Sequence, residues 1–194
     1  ILNLLFRLGH SSPLQGLLDR EALARRFDTA HLGRAPARLD PVQLAAWQKE
    51  AVHALAPAAV ADWLAPALPP QLDAAGREAF AAAVRANVLL PADAAHWAEV
   101  VYGGPPRPDA QAEAVLREAG AAFFAAAAAA SERHARDWSA LVAAVKAATG
   151  RKGPALFKPL RCALTGLDHG PELAPLLRLL PEGQAAQRFS RYAH

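Results

Sequence analysis

The sequence predicts an all-α protein, an array of short helices. Three observations carry this expectation. Hydrophobic residues make up 53% of the 194-residue chain, but alanine dominates, Met is absent and Val and Ile are sparse, which favours helix over sheet. Sixteen prolines punctuate the sequence and break it into many short helices. No segment alternates apolar and polar residues over the length of a strand. The length suffices for a core in one domain or in two small ones.

Each element follows from local signals. Residues 1–8 form an apolar helix stopped by Gly9. Asp19 caps a second helix running through Phe27. A loop from Asp28 to Leu39 carries Arg34 and Arg38. Asp40 caps a third helix with Pro41 in its first position, and Leu44, Trp47, Ala51 and Leu55 follow at helical spacing. Pro57 starts a fourth helix through Trp63 and Leu64. The stretch Pro66 to Pro70 reads as a linker or sharp turn. Asp73 caps a fifth helix with Phe80 and Val84 inward, and Pro91 starts a sixth that contains Trp97, Val100 and Val101. Gly103-Gly104-Pro105-Pro106 is the clearest linker. Asp109 caps a long helical stretch broken at Gly120, with Phe123 and Phe124 supplying bulk. Trp138, Leu141, Val142 and Val145 place a further helix before Gly150. A last helix spans roughly Glu182 to Tyr192. No fixed-period repeat emerges.

The charge is unevenly spread. Residues 1–149 hold 14 Lys and Arg against 15 Asp and Glu, a net of −1, whereas residues 150–194 hold 7 against 3, a net of +4. Arg outnumbers Lys by 17 to 4, which suits planar phosphate and base contacts and equally follows from GC-rich coding. Modest basicity allows a nucleic-acid partner without demanding one. Cys162 is alone, which excludes a disulfide framework and a multi-cysteine zinc site. Its setting among Leu160, Ala163 and Leu164 reads as a structural thiol in a reducing cytoplasm. The longest uncharged run, Ala119 to Ser131, is too short to span a bilayer. No Met occurs even at position 1, and the chain opens inside a helix without a capping residue, so the expectation is a portion of a longer protein.

The most informative stretch is Gly150 to Leu180. Leu156, Leu160 and Leu164 recur at i, i+4, i+8 as one apolar stripe, widened by Phe157. Lys158, Arg161 and Thr165 fall at i, i+3, i+7 on a second, polar face. Pro159 places the helix start around Leu156 to Lys158. Gly166 ends it as a left-handed cap, the loop Leu167-Asp168-His169-Gly170 follows, and Pro171 opens another helix. The result is a helix–loop–helix with cations on one side. Its tip offers a carboxylate, an imidazole and free backbone groups, which suits hydrogen bonding to unstacked RNA bases. On spacing alone a surface turn between packed helices explains the same pattern.

This signature, Leu156-Phe157-Lys158-Pro159-Leu160-Arg161-Cys162-Ala163-Leu164-Thr165-Gly166 with Asp168-His169-Gly170-Pro171-Glu172-Leu173, resembles the end of the anticodon-binding region of bacterial glutamyl-tRNA synthetases. Leu4-Leu5-Phe6-Arg7-Leu8-Gly9-His10-Ser11 is similar to the family's LLNYLARLGW, with His10 where Trp is common. Gly33-Arg34-Ala35-Pro36-Ala37-Arg38-Leu39-Asp40-Pro41 is similar to its SPARFDP stretch. Trp47-Gln48 departs from the family's Leu-Asn, and Leu180-Pro181 from its Leu-Gly. From residue 56 to residue 136 the resemblance is one of pattern only, and the later family Arg aligns with Arg188.

The resemblance implies a stem-contact fold over 1–56, a first helical anticodon-binding subdomain over 57–105 and a second over 106–194. It implies a portion that recognises tRNA, the Glu tRNA with the Gln tRNA left open, within a monomeric full enzyme. ATP and Mg would serve the absent catalytic domain, and this chain alone would be inactive. Phosphate contacts are expected from Arg151, Lys152, Lys158 and Arg161, and RNA binding also from Arg34 and Arg38 in the stem-contact region. Base contacts are expected at Thr165, Asp168, His169, Gly170, Pro171 and Leu173, and the third anticodon base falls to Arg85 or Asn87. An all-helical module speaks against the glutaminyl enzyme, whose corresponding part is built from β-barrels. The alternatives are a non-enzymatic helical scaffold and a free-standing RNA-binding paralogue.

Other motifs fail on context. His31-Leu32-Gly33-Arg34 only superficially matches the HIGH motif of class I synthetases, because an acidic helix rather than a strand precedes it. Gly150-Arg151-Lys152-Gly153 lacks the remainder of a phosphate-binding loop, and no nucleophile elbow or HExxH occurs.

Overall fold

A computed structural model describes residues 1–11, 16–34 and 36–194. Ala35 of the Gly33–Pro41 stretch lies outside the described residues. The architecture is all-α: α1 (Leu2–Gly9), α2 (Arg20–Arg26), α3 (Pro41–Ala54), α4 (Pro57–Leu64), α5 (Ala74–Val84), α6 (Pro91–Tyr102), α7 (Ala110–Ala119), α8 (Ala121–His134), α9 (Trp138–Thr149), α10 (Pro154–Thr165), α11 (Leu173–Leu179) and α12 (Gln184–Ser190). Short 3-10 turns occupy Thr29–His31, Ala65–Ala67 and Arg85–Asn87. Among the described residues the one β-type pairing is an isolated bridge between His10 and Leu32.

The helix starts obey side-chain chemistry. Asp19, Asp40, Asp73 and Asp109 each accept from a backbone N–H two or three residues on. Asp137 does the same for α9 from Ala140 N at 3.0 Å. Each such cap contributes about 1 kcal/mol. Asp93 lies inside the first turn of α6 and accepts from Leu89 N and Leu90 N at 2.8 and 2.9 Å.

Two apolar clusters form. Helices α4 to α6 gather Val60, Leu64, Phe80, Val84, Trp97 and Val101, joined by Leu176 from α11. Helices α7 to α12 gather Leu116, Phe124, Leu141, Leu160, Leu164 and Phe189. Leu176 reaches the first cluster while its neighbour Leu177 serves the second. In the N-terminal segment α1 packs on α3, with the Arg7 guanidinium 4.2 Å from the Trp47 ring centre. His10 takes an aromatic position there, its ring 4.4 Å from Phe6 and 5.5 Å from His31.

Four sequence expectations are corrected. Helix α10 starts at Pro154, because Gly153 turns the chain and Pro154 fits the first helical position. Pro159 is therefore inside the helix and buried. Pro171 does not open α11, which begins at Leu173. Leu55 falls past the end of α3 and is exposed, and Val52 is the buried residue of that helix. Phe157 faces solvent at the edge of the α10 stripe, 6.5 Å between ring centres from Trp138.

Candidate nucleic-acid interface

The turn after α10 is built by residues far apart in sequence. Gly166 is left-handed (φ 77°, ψ 0°), and its carbonyl accepts from Asp109 N at 3.1 Å. A Cβ at Gly166 would lie 2.7 Å from the Arg107 carbonyl oxygen, so the linker before α7 seals the end of α10. Gly170 has φ 129°, and a Cβ there would collide with the Trp97 indole. Turn and α6 thus approach as closely as two backbones and a ring allow.

Several residues expected to contact RNA bond within this turn. Arg161 Nη1 donates to the Pro171 carbonyl at 2.7 Å, and burial pulls its guanidinium below the usual arginine range. Thr165 is 1% exposed, with its hydroxyl 2.9 Å from the Arg161 carbonyl and 3.0 Å from that of Leu167. The expected polar face of Lys158, Arg161 and Thr165 is corrected accordingly: only Lys158 is exposed. Pro171 and Leu173 are buried. Helical spacing placed these residues on one side of α10, but the turn that follows α10 doubles back there, bringing the Pro171 carbonyl to Arg161 and the Leu167 carbonyl to Thr165.

Asp168 ties the loop down. Its side chain is 17% exposed. It accepts from Gln111 Nε2 at 2.8 Å and lies 3.0 Å from His169 Nδ1. Lys158 Nζ stands 4.0 Å away. The His169 hydrogen bond above all, and then the Lys158 charge, hold its carboxyl below the usual range against an opposing push from desolvation. The His169 side chain remains 74% exposed.

The remaining cations occupy separate places. Arg151 donates to the Ala119 carbonyl at 2.7 Å and lies 4.9 Å from the Phe123 ring centre. It shares with Lys158 a groove between α7 and α10. Lys152 is exposed. Arg85 is half-buried and Asn87 exposed, in a 3-10 turn that packs beside α3. Arg34 and Arg38 are exposed in the N-terminal loop. Lys152, Arg85, Asn87, Arg34 and Arg38 make no side-chain hydrogen bond or ion pair among the described residues.

Arg188 takes a position that alignment alone leaves unexplained. It is 1% exposed. Nη1 donates to the Leu164 carbonyl and Nη2 to the Val100 carbonyl, both at 2.6 Å, and Gln184 Oε1 accepts at 3.0 Å. Leu164 and Val100 lie in the last turns of α10 and α6, where unpaired carbonyls favour a cation. Burial pushes the Arg188 pKa down to about 10, helped by Arg191, so it stays charged at neutral pH.

A cleft of about 370 Å³ opens beside the turn, between α6 and the linker, lined by His96, Glu99, Arg107, Thr165 and Leu167 among others. Motif reading missed His96, Glu99 and Arg107. The available signals were the His96-Trp97 pair and an Arg directly after Gly-Gly-Pro-Pro. Among the described residues no group of His, Cys, Asp and Glu could hold a metal ion. No single helix among them is long and apolar enough to cross a membrane; α7 and α8 pass that test only as a pair bent by 90°.

A family model described as an anticodon binding domain matches residues 57–193. The chain belongs to the anticodon-binding domain family. Glutamate–tRNA ligase 2 of Alkalilimnicola ehrlichii is 49% identical over 194 residues, covering 98% of this chain and 40% of that protein. Glutamate–tRNA ligase 1 of Halorhodospira halophila is 45% identical over 100% of this chain and 40% of its own length. The chain thus spans about two-fifths of the length of these curated relatives. A crystal structure of a glutamate-tRNA synthetase from Elizabethkingia anophelis matches with a TM-score of 0.74, covering 91% of this chain and 36% of that one at 14% identity, which shows the fold. Within this anticodon-binding domain, the two clusters and the turn between them all fall inside the family match, and α1 to α3 precede it.

Proposed function

We propose that this chain is the tRNA-recognising portion of a glutamate–tRNA ligase. It holds the Glu tRNA in the cytoplasm while the remainder of a longer enzyme attaches glutamate using ATP and Mg. The observation that carries this reading is the anticodon-binding match over 57–193 within relatives named as glutamate–tRNA ligases. The net +4 of residues 150–194 supports it, as do exposed cations without partners among the described residues, Lys152, Arg34 and Arg38. These three and Lys158 are assigned to the phosphate backbone. The turn at exposed His169 and half-buried Gly170 is assigned to bases. Arg161, Thr165 and Asp168 shape that turn from within.

The test is titration of Glu tRNA with the chain across a salt series. Binding should fall log-linearly with salt, and each of Lys152→Ala and Lys158→Ala should flatten the slope by about 0.7–0.9. A helical scaffold for proteins would show no salt-sensitive tRNA binding. The chain by itself should show no glutamate-dependent ATP–pyrophosphate exchange; exchange above background would refute its assignment as the recognition portion only.

A further inference from the structure

Around the reading turn most polar side chains are already committed. Arg161, Thr165 and Asp168 bond within the turn, and Arg188 holds two helix ends. The cleft between α6 and the linker is the exception. Glu99 and Arg107 line it and make no side-chain hydrogen bond or ion pair among the described residues. His96 stands one turn before Glu99 on α6, its ring 4.9 Å from that of Trp97 at 71°, and both His96 and Glu99 are exposed. The frame is rigid. The Glu99 carboxylate lies against Gly103, where any side chain would collide with it. Trp97 also packs against Gly170.

We propose that this cleft takes one unstacked nucleobase of the bound RNA, with the Glu99 carboxylate accepting from the base's amino edge. The inference rests on the tRNA-recognition reading above. A carboxylate only accepts hydrogen bonds and repels phosphate, so the group that enters at Glu99 is a donor edge and not the backbone. His96 offers a flat face for stacking, the usual means of holding a splayed-out RNA base. Arg107, exposed at the rim beside the carbonyl that seals Gly166, is placed for the adjoining phosphate. Between bases of equal size the carboxylate selects cytosine, whose 4-amino group donates, over uracil, whose 4-oxygen would face it acceptor to acceptor.

The experiment uses hairpin RNAs carrying the anticodon loop of the Glu tRNA, each loop position made C or U in turn. Their affinities for the chain are measured by fluorescence anisotropy. The wild type should prefer C over U at one position by about tenfold or more. Glu99→Gln should bring that preference close to one with an unchanged salt slope and melting temperature. His96→Ala should weaken both RNAs about equally, by roughly tenfold. Arg107→Met should flatten the salt slope. A C-over-U preference that survives Glu99→Gln overturns the cleft assignment while the tRNA reading stands. Failure of the wild type to bind any of the hairpins or the Glu tRNA overturns both.

Discussion

Cys162 shows how far a single side chain is governed by its neighbours. It is 0% exposed. Burial, then the nearby Asp168 and Asp109 carboxylates, push its thiol from 9.0 up to about 11. The unfolded chain would ionise this thiol near its ordinary value, so between pH 9 and 11 the unfolded state binds fewer protons and stability falls as pH rises. The contribution is complete below pH 9 and lost above 11. A shift of this size corresponds to about 2–3 kcal/mol. Chemical denaturation of wild type and Cys162→Ala at pH 8 and pH 10.5 checks this: the alkaline loss should be smaller in the variant, and equal losses would refute the account. The native thiol should also resist alkylation at pH 8. Its burial was legible in the sequence, from one Cys on an apolar stripe. The role of Arg161 was not: its bond to Pro171 depends on the path of the turn after α10, which no spacing on α10 encodes.

At the scale of elements, glycines separate backbone cost from packing cost. Gly150 and Gly166 are both left-handed caps, at φ 68° and 77°. A Cβ at Gly150 meets nothing within 4 Å, whereas one at Gly166 meets the Arg107 carbonyl at 2.7 Å. Gly150→Ala should cost the conformational term alone, about 1–2 kcal/mol. Gly166→Ala adds displacement of the linker, and should cost more and loosen the turn. Melting temperatures of the two variants test the difference; equal losses would show that the linker yields freely. Helix starts were the legible part of the fold, because an Asp or Pro before an apolar run acts locally. Asp19, Asp40, Asp73 and Asp109 cap where the sequence places caps. The start of α10 was misplaced because Pro159 normally belongs to a first turn. Here its ring is buried along the groove facing α7, and packing offsets the missing backbone bond.

At the scale of the molecule, the two apolar clusters are held in register by one cation. Val100 belongs to the α4–α6 cluster and Leu164 to the α7–α12 cluster, and Arg188 bonds to the carbonyls of both. Its partners lie 88 and 24 residues away, so sequence could align this residue with a family arginine but could not say what it does. The planar fork matters, since its two terminal nitrogens serve two helix ends at once, which a lysine ammonium on a single stem does less well. Among the described residues Arg188 Nε is buried without a partner, a cost that the bonds of the two terminal nitrogens must offset. Arg188→Met should therefore leave helix-end carbonyls unpaired and cost at least about 1.5–3 kcal/mol, the value of one charged hydrogen bond. Arg188→Lys should recover part of that loss. The sharper outcome concerns coupling. Wild type should unfold in one transition, whereas in Arg188→Met tryptophan fluorescence, reported in these clusters by Trp63, Trp97 and Trp138, should separate from circular dichroism into two steps. On the tRNA-recognition reading proposed above, affinity for Glu tRNA should fall with it, because the turn after α10 and the cleft on α6 lie on opposite sides of this clamp. A single coincident transition in Arg188→Met, with wild-type RNA affinity, would show that Leu176 and the Gly170–Trp97 contact suffice to hold the two halves together.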